Sequence, residues 1–500
     1  MRSVKPLFNF ILNITRNNDT ITSLNRVFMR MQPDGEKEAY VRFNSDDEGR
    51  RCCCMIEDIK ALVDKKAYKE FREYAMEENE ADIASVLEEM PEQELLTFFR
   101  ILPKDKAADV FAYLPIDVQQ HMIVTFTLGE AAGIIENLSF DDAADLMDEM
   151  PANVVTRLLA NTSPETRSTI NALLKYPDSS AGSLMTTEYE GLKEGMKVSQ
   201  AIEKIRNDGI DKETINVCYV LDAARKLKGT VTLRSLLLAD PDALVGDIMT
   251  EHVISVNTLD DQEDVARDFQ HYDFSAMPVV DSEKRLVGII TVDDIVDIMQ
   301  QEATEDIEKM AAIRPTDMPY SKTGVVETYK KRIPWLLLLM ISATFTGMII
   351  SYFEDALGKM IVLSTFIPML MDTGGNAGSQ ASVSIIRALS LEEIEFSDLF
   401  RTIWKEMRVS FLVGATLAAT NFVKLIFVDR VDVSVALVVC LTLVVTVFVA
   451  KIVGCSLPMI AKKIGFDPAV MASPFITTIV DALSLVIYFN FATFILGLAT

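Results

Sequence analysis

Five apolar segments fill most of the C-terminal third of this 500-residue chain, and they restrict its fold more than any other feature. Each segment is long enough to cross a hydrocarbon core of about 30 Å as a helix. They run approximately over Trp335–Tyr352, Met360–Leu389, Val409–Val428, Val433–Leu457 and Ala469–Leu498. The pattern predicts a transmembrane domain of five helices in residues 331–500.

Within the second segment, Pro368–Gln380 combines an acid, three glycines and polar side chains. Irregular polar backbone in hydrocarbon is tolerated only where it is buried in protein or lines a watery cavity. Small residues also bring membrane helices together, so a helix-packing seam is the alternative interpretation. Asp372 favours an ion path, because intramembrane carboxylates are rare and usually functional.

The fifth segment contains a second carboxylate, Asp481, with apolar residues on both sides. A charge at such a position costs roughly 3 kcal/mol on insertion scales, so it should face a water-filled path. The alternative is an ion pair with a lysine of another helix, for which Lys424 and Lys451 are the candidates.

Charge is divided unevenly along the chain. Of the 48 basic and 73 acidic residues, 14 and 13 lie in residues 321–500, which leaves 34 and 60 in residues 1–320. An acidic surface repels nucleic acid and attracts cations, although acidity also serves solubility. The bases that flank the apolar segments are Lys330, Lys331, Arg332, Arg401, Lys405, Arg408, Lys462 and Lys463. The positive-inside rule predicts a multi-pass protein of the cytoplasmic membrane, with its N-terminus cytoplasmic and its C-terminus outside.

Two regions precede the first internal repeat. Residues 1–54 are predicted to be an extension of unknown role, with a translation start at Met55 as the alternative. Residues 55–180 are predicted to form an all-α superhelical domain of short helices that end before prolines. Asp141 and Asp145 share one helix face, where like charges repel unless a cation joins them. As the alternative, Ser139 is an N-cap and the acids simply favour the helix N-terminus.

Cysteine and histidine give no sign of catalysis. The six cysteines have no metal-ligand spacing, and the three histidines lie in no zinc or nucleophile motif. The triplet Cys52–Cys54 is interpreted as a tolerated surface feature rather than a reactive thiol patch. These observations predict that the protein is not an enzyme.

Residues 181–300 contain an internal repeat with an offset of 59 residues, which pairs Asp222 with Asp281, Gly229 with Gly288 and Thr232 with Thr291. Each copy follows a Gly-x-x-Met-Thr entry and has the order strand, helix, hairpin, helix. The region resembles a pair of CBS domains, an α/β Bateman module. Gly288 to Asp294 is similar to the part of such domains that holds a nucleotide ribose, which implies Thr291 and Asp294 as nucleotide ligands. The first copy departs from this pattern, with Ser235 in place of the acid.

Residues 301–330 are predicted to connect the repeat to the membrane domain. A helix expected over Val296–Ala312 crowds Glu302, Glu305 and Asp306 into about one turn and a half. These acids fit an ordinary solvated helix, or a sensor if the helix lies beside a cation pore.

Together these features resemble the MgtE family of magnesium transporters over roughly Met55–Thr500. The most specific motifs are Pro368–Gln380 and Asp467-Pro468-Ala469, followed by Pro474, Thr477-Thr478 and Asp481. The resemblance implies a homodimer around one central Mg²⁺ pore, with Asp467 at the cytoplasmic mouth and a secondary role for Asp372. The pore ligands that it implies are Asp481, Asn376, Asp372, Gly374, Gly375 and Asp467.

The resemblance also implies a function for the acidic residues of the soluble part of the chain. Mg²⁺ bound between the N-terminal domain, the CBS pair and the connecting helix is expected to close the pore, and ATP at the CBS pair is an expected regulatory ligand. The sensor residues that it implies are Asp141, Asp145, Asp261, Glu263, Asp273, Asp294, Asp297, Glu302, Glu305 and Asp306.

Three other functions are open at this point. A nucleotide-driven pump or antiporter is disfavoured, because the chain has no phosphate-binding loop motif. A non-transporting sensor of divalent ions would leave Asp481 without a role. Ion-coupled transport of Mn²⁺ or Co²⁺ is disfavoured but not excluded by all-oxygen ligands.

Overall fold

The computed structural model describes residues 67–497, except 317, 319, 321 and 472. The predicted extension 1–54, its cysteine triplet and the predicted helix start at Met55 lie outside the described residues. The chain divides after Leu138 into two compact units.

Short helices make up the first unit. They are α1 (Tyr68–Glu77), α2 (Glu80–Glu88), α3 (Glu92–Phe99), α4 (Lys104–Ala112), α5 (Ile116–Thr125) and α6 (Leu128–Ile135). Pro91, Pro103 and Pro115 stand immediately before α3, α4 and α5. Proline fits the start of a helix because its φ is already helical and its missing N–H has no partner there. The predicted helix ends before prolines are confirmed.

The second unit begins with three more short helices and continues into the first CBS domain. The helices are α7 (Phe140–Asp148), α8 (Ala152–Leu159) and α9 (Pro164–Leu173). The domain contains β1 (Tyr189–Lys193), α10 (Val198–Asp208), β2 (Thr214–Leu221), β3 (Leu227–Thr232) and α11 (Leu233–Leu238). Strand β2 lies between β1, which is parallel to it, and β3, which is antiparallel.

The second CBS domain repeats this order after a short helix, α12 (Val245–Ile248). Its elements are β4 (Val256–Asn257), α13 (Gln262–Tyr272), β5 (Ala276–Val280), β6 (Leu286–Thr291) and α14 (Val292–Met310). Val220 pairs with Gly229 in the first sheet, and Val279 pairs with Gly288 in the second. The predicted repeat is therefore confirmed. Helix α14 follows β6 directly and starts four residues before the predicted Val296.

The Gly-x-x-Met-Thr entries are exchanged between the two domains. A Cβ atom on Gly229 would lie 2.7 Å from the Met249 sulfur, and one on Gly288 would lie 2.7 Å from the Met185 sulfur. Each entry methionine thus packs against the glycine of the other CBS domain. Contacts this close leave no room for a side chain larger than hydrogen, which explains why glycine occurs at the same place in both copies.

The C-terminal part is helical. It contains α15 (Val325–Tyr352), α16 (Glu354–Lys359), α17 (Ile367–Ser390), α18 (Leu399–Phe427), α19 (Val433–Lys463) and α20 (Ser473–Leu496). Within the described residues, four stretches are long and apolar enough to cross a membrane: Val325–Tyr352, Phe396–Phe427, Val433–Lys463 and Pro468–Leu496. The prediction of five such helices is not confirmed, because α17 is 24 residues long but is not among the four.

Helix α17 occupies the centre of this helical part. It packs on α19 and α20, while α18 packs on α19 and α15 packs on α20. The membrane stretch of α15 has no buried residue. A core of aliphatic and aromatic side chains, including Leu363, Leu443 and Phe489, joins the helices toward one end.

Candidate ion path and acidic clusters

Helix α17 has a buried face made of small residues. A Cβ atom on Gly374 would lie 2.7 Å from Thr446 Cγ2 and 2.9 Å from Val480 Cγ1, and one on Gly378 would lie 2.8 Å from Ile476 Cγ2. On α19, a Cβ atom on Gly454 would overlap the carbonyl oxygen of Gly378. We call these residues, with Gly375, the glycine seam; it lets α17 approach α19 and α20 at backbone distance.

The predicted irregular backbone over Pro368–Gln380 is therefore wrong. The segment is continuous helix, so its carbonyl groups accept helical hydrogen bonds. For the glycines, the packing-seam interpretation is the correct one. Gly374 and Gly375 are buried against neighbouring helices, which is a structural role that the sequence left as the alternative.

The opposite face of α17 has a different composition. Asp372, Asn376 and Gln380 follow one another at intervals of four residues, and all three are exposed. We call them the polar stripe. In a helix, residues four apart lie on one face. A polar face of this kind is unfavourable against lipid tails, so it requires water or another protein surface.

Asp481 lies half-buried in α20 and interacts electrostatically with Asp372. Both lysines proposed as alternative partners are paired elsewhere. The Lys424 Nζ atom lies 3.0 Å from Asp429 Oδ2, and the Lys451 Nζ atom lies 3.3 Å from Glu406 Oε2. The interpretation of Asp481 as a lysine-paired carboxylate is therefore wrong for both candidates. The structure instead brings together two acids from different parts of the chain.

The end of α14 reaches the start of α20. The Lys309 Nζ atom lies 2.6 Å from Glu305 Oε1 and 2.8 Å from Asp467 Oδ2. Met310 packs beside Ile386 of α17 and Ala469, which precedes α20. The predicted connecting helix thus contacts the predicted pore mouth directly. Lys309 was not predicted as a functional residue, because a single lysine in an acidic helix carries no distinguishing pattern.

Further acids surround this contact. We call Asp261, Glu263, Glu302, Glu305, Asp306 and Asp467 the junction cluster. Burial, together with the charges of Asp467 and Glu263, raises the pKa of Asp306 to about 6. Burial also raises the pKa of Glu302, against the hydrogen bond of 2.6 Å that Gln262 donates to it. Burial is the main cause of both raised pKa values, and the neighbouring acids add to it.

A second group of acids lies where α7 meets the CBS domains. We call Asp141, Asp142, Asp145, Glu213, Asp293 and Asp294 the CBS cluster. Burial, followed by the charge of Asp141, raises the pKa of Asp294 to about 8 and that of Glu213 to about 7. The same causes raise the pKa of Asp145 to about 7. Asp141 is nine-tenths buried, and its Oδ1 atom has no hydrogen-bond partner.

The alternative role for Ser139 is only partly confirmed. Ser139 does precede α7, but its hydroxyl donates to Asp142 Oδ2 at 2.8 Å rather than accepting from the helix backbone. The Phe140 backbone N–H donates to Glu188 Oε2 at 3.3 Å. Glu213, Asp142 and Asp293 were missed from the sequence, since only folding brings α7, β2 and α14 together.

The remaining predicted sensor acids are placed differently. Asp297 lines a cavity of about 1010 Å³ that Asp145, Glu302, Glu305 and Lys331 also line. Asp273 ends α13 in the left-handed region, with φ at 52°. Across the part of the chain that the structure describes, no three His, Cys, Asp or Glu side chains are arranged to hold a metal ion. Neither cluster is a preformed three-ligand site.

The predicted nucleotide residues contact each other. The Thr291 hydroxyl donates to Asp294 Oδ2 at 2.7 Å. In the first CBS domain, the Thr232 and Ser235 hydroxyls lie 2.8 Å apart at the equivalent place. The two copies therefore share the geometry of this corner but differ in its charge, as the sequence predicted.

Models of known families match three regions of the chain. The MgtE intracellular N domain matches residues 78–179, the CBS domain matches residues 181–242 and 245–301, and the MgtE divalent cation transporter domain matches residues 367–491. The magnesium transporter MgtE of Thermus thermophilus is 38% identical over 429 residues, which cover 85% of this chain and 95% of that protein. The chain belongs to the MgtE family.

A second curated relative agrees with this assignment, and a solved structure is also similar to part of the chain. The magnesium transporter MgtE of Bacillus subtilis is 35% identical over 439 residues, covering 88% of this chain and 97% of the relative. A crystal structure of the cytosolic domain of the Mg²⁺ channel MgtE in complex with ATP is 37% identical, covers 49% of this chain and 99% of that one, and has a TM-score of 0.47. The predicted family is confirmed: the chain is a multi-pass membrane transporter with tandem CBS domains, not an enzyme.

Proposed function

We propose that this MgtE protein is a Mg²⁺-selective, channel-like transporter that imports Mg²⁺ across the cytoplasmic membrane. Its N-terminal unit and CBS domains lie in the cytosol, and its C-terminus lies outside. The observation that carries the proposal is Asp481, a carboxylate within an apolar helix that interacts with Asp372 while both candidate lysines are paired elsewhere. Intramembrane acids without a basic partner are typical of ion paths.

The path runs along the polar stripe of α17. Mg²⁺ releases its waters reluctantly and usually contacts only one or two protein carboxylates. Asp481 therefore attracts the hydrated ion, with Asp372 in a secondary role, and Asn376 accepts hydrogen bonds from its waters. Binding through waters is weak enough to allow release, as conduction requires. Asp467 attracts the ion at the cytoplasmic mouth.

Gly374 and Gly375 act in this path by shaping it. Both glycines lie on the buried side of α17, where they allow the close helix packing that holds the polar stripe in place. The stripe consists of oxygen and nitrogen side chains, whereas Cys440 and Cys455 are buried elsewhere in the helix packing. Hard oxygen ligands without thiolates favour Mg²⁺ over softer metals.

A second copy of the chain completes the path. The polar stripe and the membrane stretch of α15 are both uncovered in one chain. A homodimer in which two polar stripes face each other would remove them from lipid and would present two Asp481 carboxylates to one ion. Closed two-fold dimers are the commonest symmetric assembly.

Mg²⁺ in the cytosol closes the path by binding the acids of the two clusters. Each cluster gathers carboxylates whose pKa values are raised first by burial and then by neighbouring acids, so a divalent cation stabilises the docked arrangement. The sensor residues of this proposal are Asp141, Asp145, Asp261, Glu263, Asp273, Asp294, Asp297, Glu302, Glu305 and Asp306. Mg²⁺ shifts the population toward the closed form only to the extent that it binds that form better. Sites built from one or two carboxylates and waters suit such weak binding.

ATP is the proposed regulatory ligand of the CBS pair. Thr291 and Asp294 form the corner that would hold the ribose, with the hydroxyl and the carboxylate already in contact. Ser235 lacks the charge of Asp294, so one strong site per chain is expected. Titration calorimetry with ATP on the full chain tests this, with Asp294→Asn expected to weaken binding and Ser235→Ala to leave it unchanged.

Flux into proteoliposomes tests the ion path. Asp481→Ala and Asp481→Asn should each abolish Mg²⁺ uptake, because the path loses the charge that captures the ion. Asp429→Asn is the matched control, since Asp429 is an acid of the same helical part that pairs with Lys424. Unchanged Mg²⁺ uptake in both Asp481 variants would contradict the assignment of Asp481 to the ion path.

A further inference from the structure

An ion pair joins the second CBS domain to the end of α17. The Arg267 Nη1 atom lies 2.7 Å from Glu392 Oε1, which belongs to the loop between α17 and α18. The same guanidinium lies 2.9 Å from Asp264 Oδ1 and 3.2 Å from Glu263 Oε1. Its side chain is only 25% exposed. Arg267 is therefore held on α13 by two acids while it extends to a third acid beyond the CBS domain.

The backbone at Glu392 indicates that a side chain is needed there. Helix α17 ends with the Glu393 N–H donating to the Ala388 carbonyl at 2.9 Å and the Glu392 N–H donating to Leu389 at 3.3 Å. Glu392 adopts φ 54°, in the left-handed region. Glycine is the usual residue at this position of a helix end, because a Cβ atom makes the conformation unfavourable. A strained non-glycine residue directs attention to its function, and here its carboxylate binds Arg267.

The same helix end is fixed on its other side. Lys462 of α19 donates from Nζ to the Leu389 carbonyl oxygen at 2.8 Å. A cavity of about 220 Å³ separates the two attachments, and Arg267, Asp306, Glu392, Lys462 and Asp467 line it. The end of α17 thus lies beside the junction cluster, at the place where the CBS domain and the membrane helices meet.

We propose that the Arg267–Glu392 ion pair is a coupling contact that transmits docking of the CBS domain to α17. Arg267 and Glu392 are positioning residues, since neither lies on the polar stripe. Helix α17 is continuous from Ile367 to Ser390, so a displacement at its end is transmitted to Asp372 and Asn376. The inference rests on the proposed closure by Mg²⁺ and adds to it a specific mechanical link, distinct from the acids that bind the ion.

Charge exchange tests the contact. Arg267→Glu and Glu392→Arg should each raise the Mg²⁺ concentration that half-inhibits flux, by about two- to fivefold, the range expected for a partly exposed ion pair. The double variant Arg267→Glu/Glu392→Arg should shift this concentration by less than the two single shifts combined; recovery is partial, because a glutamate at position 267 still faces Glu263 and Asp264. Arg285→Glu is the matched control, because among the described residues Arg285 pairs with Asp281 and Glu283 of its own hairpin. Single variants without a shift, or a double variant in which the two shifts simply add, would overturn the proposal.

Glu392→Gly separates coupling from folding. Glycine relieves the strained backbone, so the thermal unfolding temperature should stay equal or rise, while the half-inhibiting Mg²⁺ concentration should rise as in Glu392→Arg. A lower unfolding temperature with unchanged inhibition would mean that Glu392 is merely structural. Protection of Lys322 from trypsin, titrated with Mg²⁺, should shift in parallel with the flux. If the wild-type protein itself is not inhibited by Mg²⁺, the proposed closure fails, which is distinct from a failure of the coupling contact alone.

Discussion

The membrane helices and the CBS region hold their carboxylates in opposite ways. In the membrane part, Asp372 and Asp481 stand on helices whose other faces interlock through the glycine seam. In the CBS and junction clusters, acids lie close together in partly buried places, where burial first and neighbouring acids second raise the pKa of Asp294 to about 8 and that of Asp306 to about 6. The first arrangement is fixed by packing, whereas the second, under the proposed closure, separates when Mg²⁺ leaves.

This difference predicts that substitutions in the two regions change the stability of the protein in opposite directions. A larger side chain in the glycine seam should destabilise the fold, because the closely packed backbones leave no space for it. Neutralising a clustered acid should stabilise the Mg²⁺-free form, because it removes repulsion. The experiments below follow from this contrast, beginning with the largest expected effect.

Gly454→Ala should disrupt the seam. Its methyl group would overlap the Gly378 carbonyl oxygen, which forces α17 and α19 apart at a cost of about 1–3 kcal/mol. The thermal unfolding temperature in detergent should fall by several degrees. Gly347→Ala is the control, because a Cβ atom on Gly347 meets nothing within 4 Å. Equal unfolding temperatures for the two variants would show that the seam does not carry this stability.

Asn376→Leu should impair the path without loss of stability. Asn376 is exposed on the polar stripe, so leucine fits the helix but removes an acceptor for the waters of the ion. Mg²⁺ flux should fall by about tenfold, which corresponds to about 1.4 kcal/mol. Asn490→Leu, another exposed asparagine of the membrane helices, should leave flux unchanged. If Asn376→Leu transports Mg²⁺ at the wild-type rate, the polar stripe does not line the ion path.

Asp294→Asn should stabilise the protein in the absence of Mg²⁺. Asparagine keeps an acceptor for the Thr291 hydroxyl but removes the charge that faces Asp141 and Asp293. We expect a gain of about 1 kcal/mol and a smaller stabilisation on adding Mg²⁺, measured as unfolding temperatures in EDTA and in Mg²⁺. Asp247→Asn changes an exposed acid of α12 and should change neither temperature. A lower unfolding temperature for Asp294→Asn in EDTA would contradict the account of the cluster.

Proton competition should be visible in the Mg²⁺ dependence. The pKa values of Asp145 and Glu213 are raised to about 7, and that of Asp294 to about 8. Raised values mean that docking without metal is favoured at low pH and weakens as pH rises through this range. Mg²⁺ must displace the protons, so the concentration that half-protects against trypsin should fall severalfold between pH 6 and pH 8. A concentration independent of pH would show that these groups do not titrate with binding.

The order of domains and the repeat could be predicted because their signals are local and periodic. The 59-residue offset between Gly229 and Gly288 required only the chain itself. The helix of Pro368–Gln380 could not be predicted with the same confidence, since glycines in an apolar segment fit a packed seam and an irregular loop equally well. The prediction of five membrane-spanning helices counted α17 because of its apolar residues, although one face of this helix is the polar stripe.

The acidic sites were predictable only in part. Asp141 and Asp145 lie near each other on α7, and Asp306 lies near Glu302 and Glu305 on α14, so the sequence alone could suggest them. Glu213 and Lys309 were missed because their significance depends on which distant groups they meet, and that is set by tertiary packing. The pairing of Lys451 with Glu406 was likewise hidden, since the two residues are 45 positions apart and Glu406 stands among the bases Lys405 and Arg408 in the sequence.

Current through excised membrane patches tests the whole account most directly, with the CBS side facing a bath of controlled Mg²⁺. The wild-type protein should conduct at low bath Mg²⁺ and close as Mg²⁺ rises to millimolar levels. The variant Glu302→Gln/Glu305→Gln/Asp306→Asn should keep conducting at concentrations that close the wild-type protein. If that variant closes at the wild-type Mg²⁺ concentration, the junction cluster is not the sensor and the contrast between a fixed path and a releasable cluster is wrong.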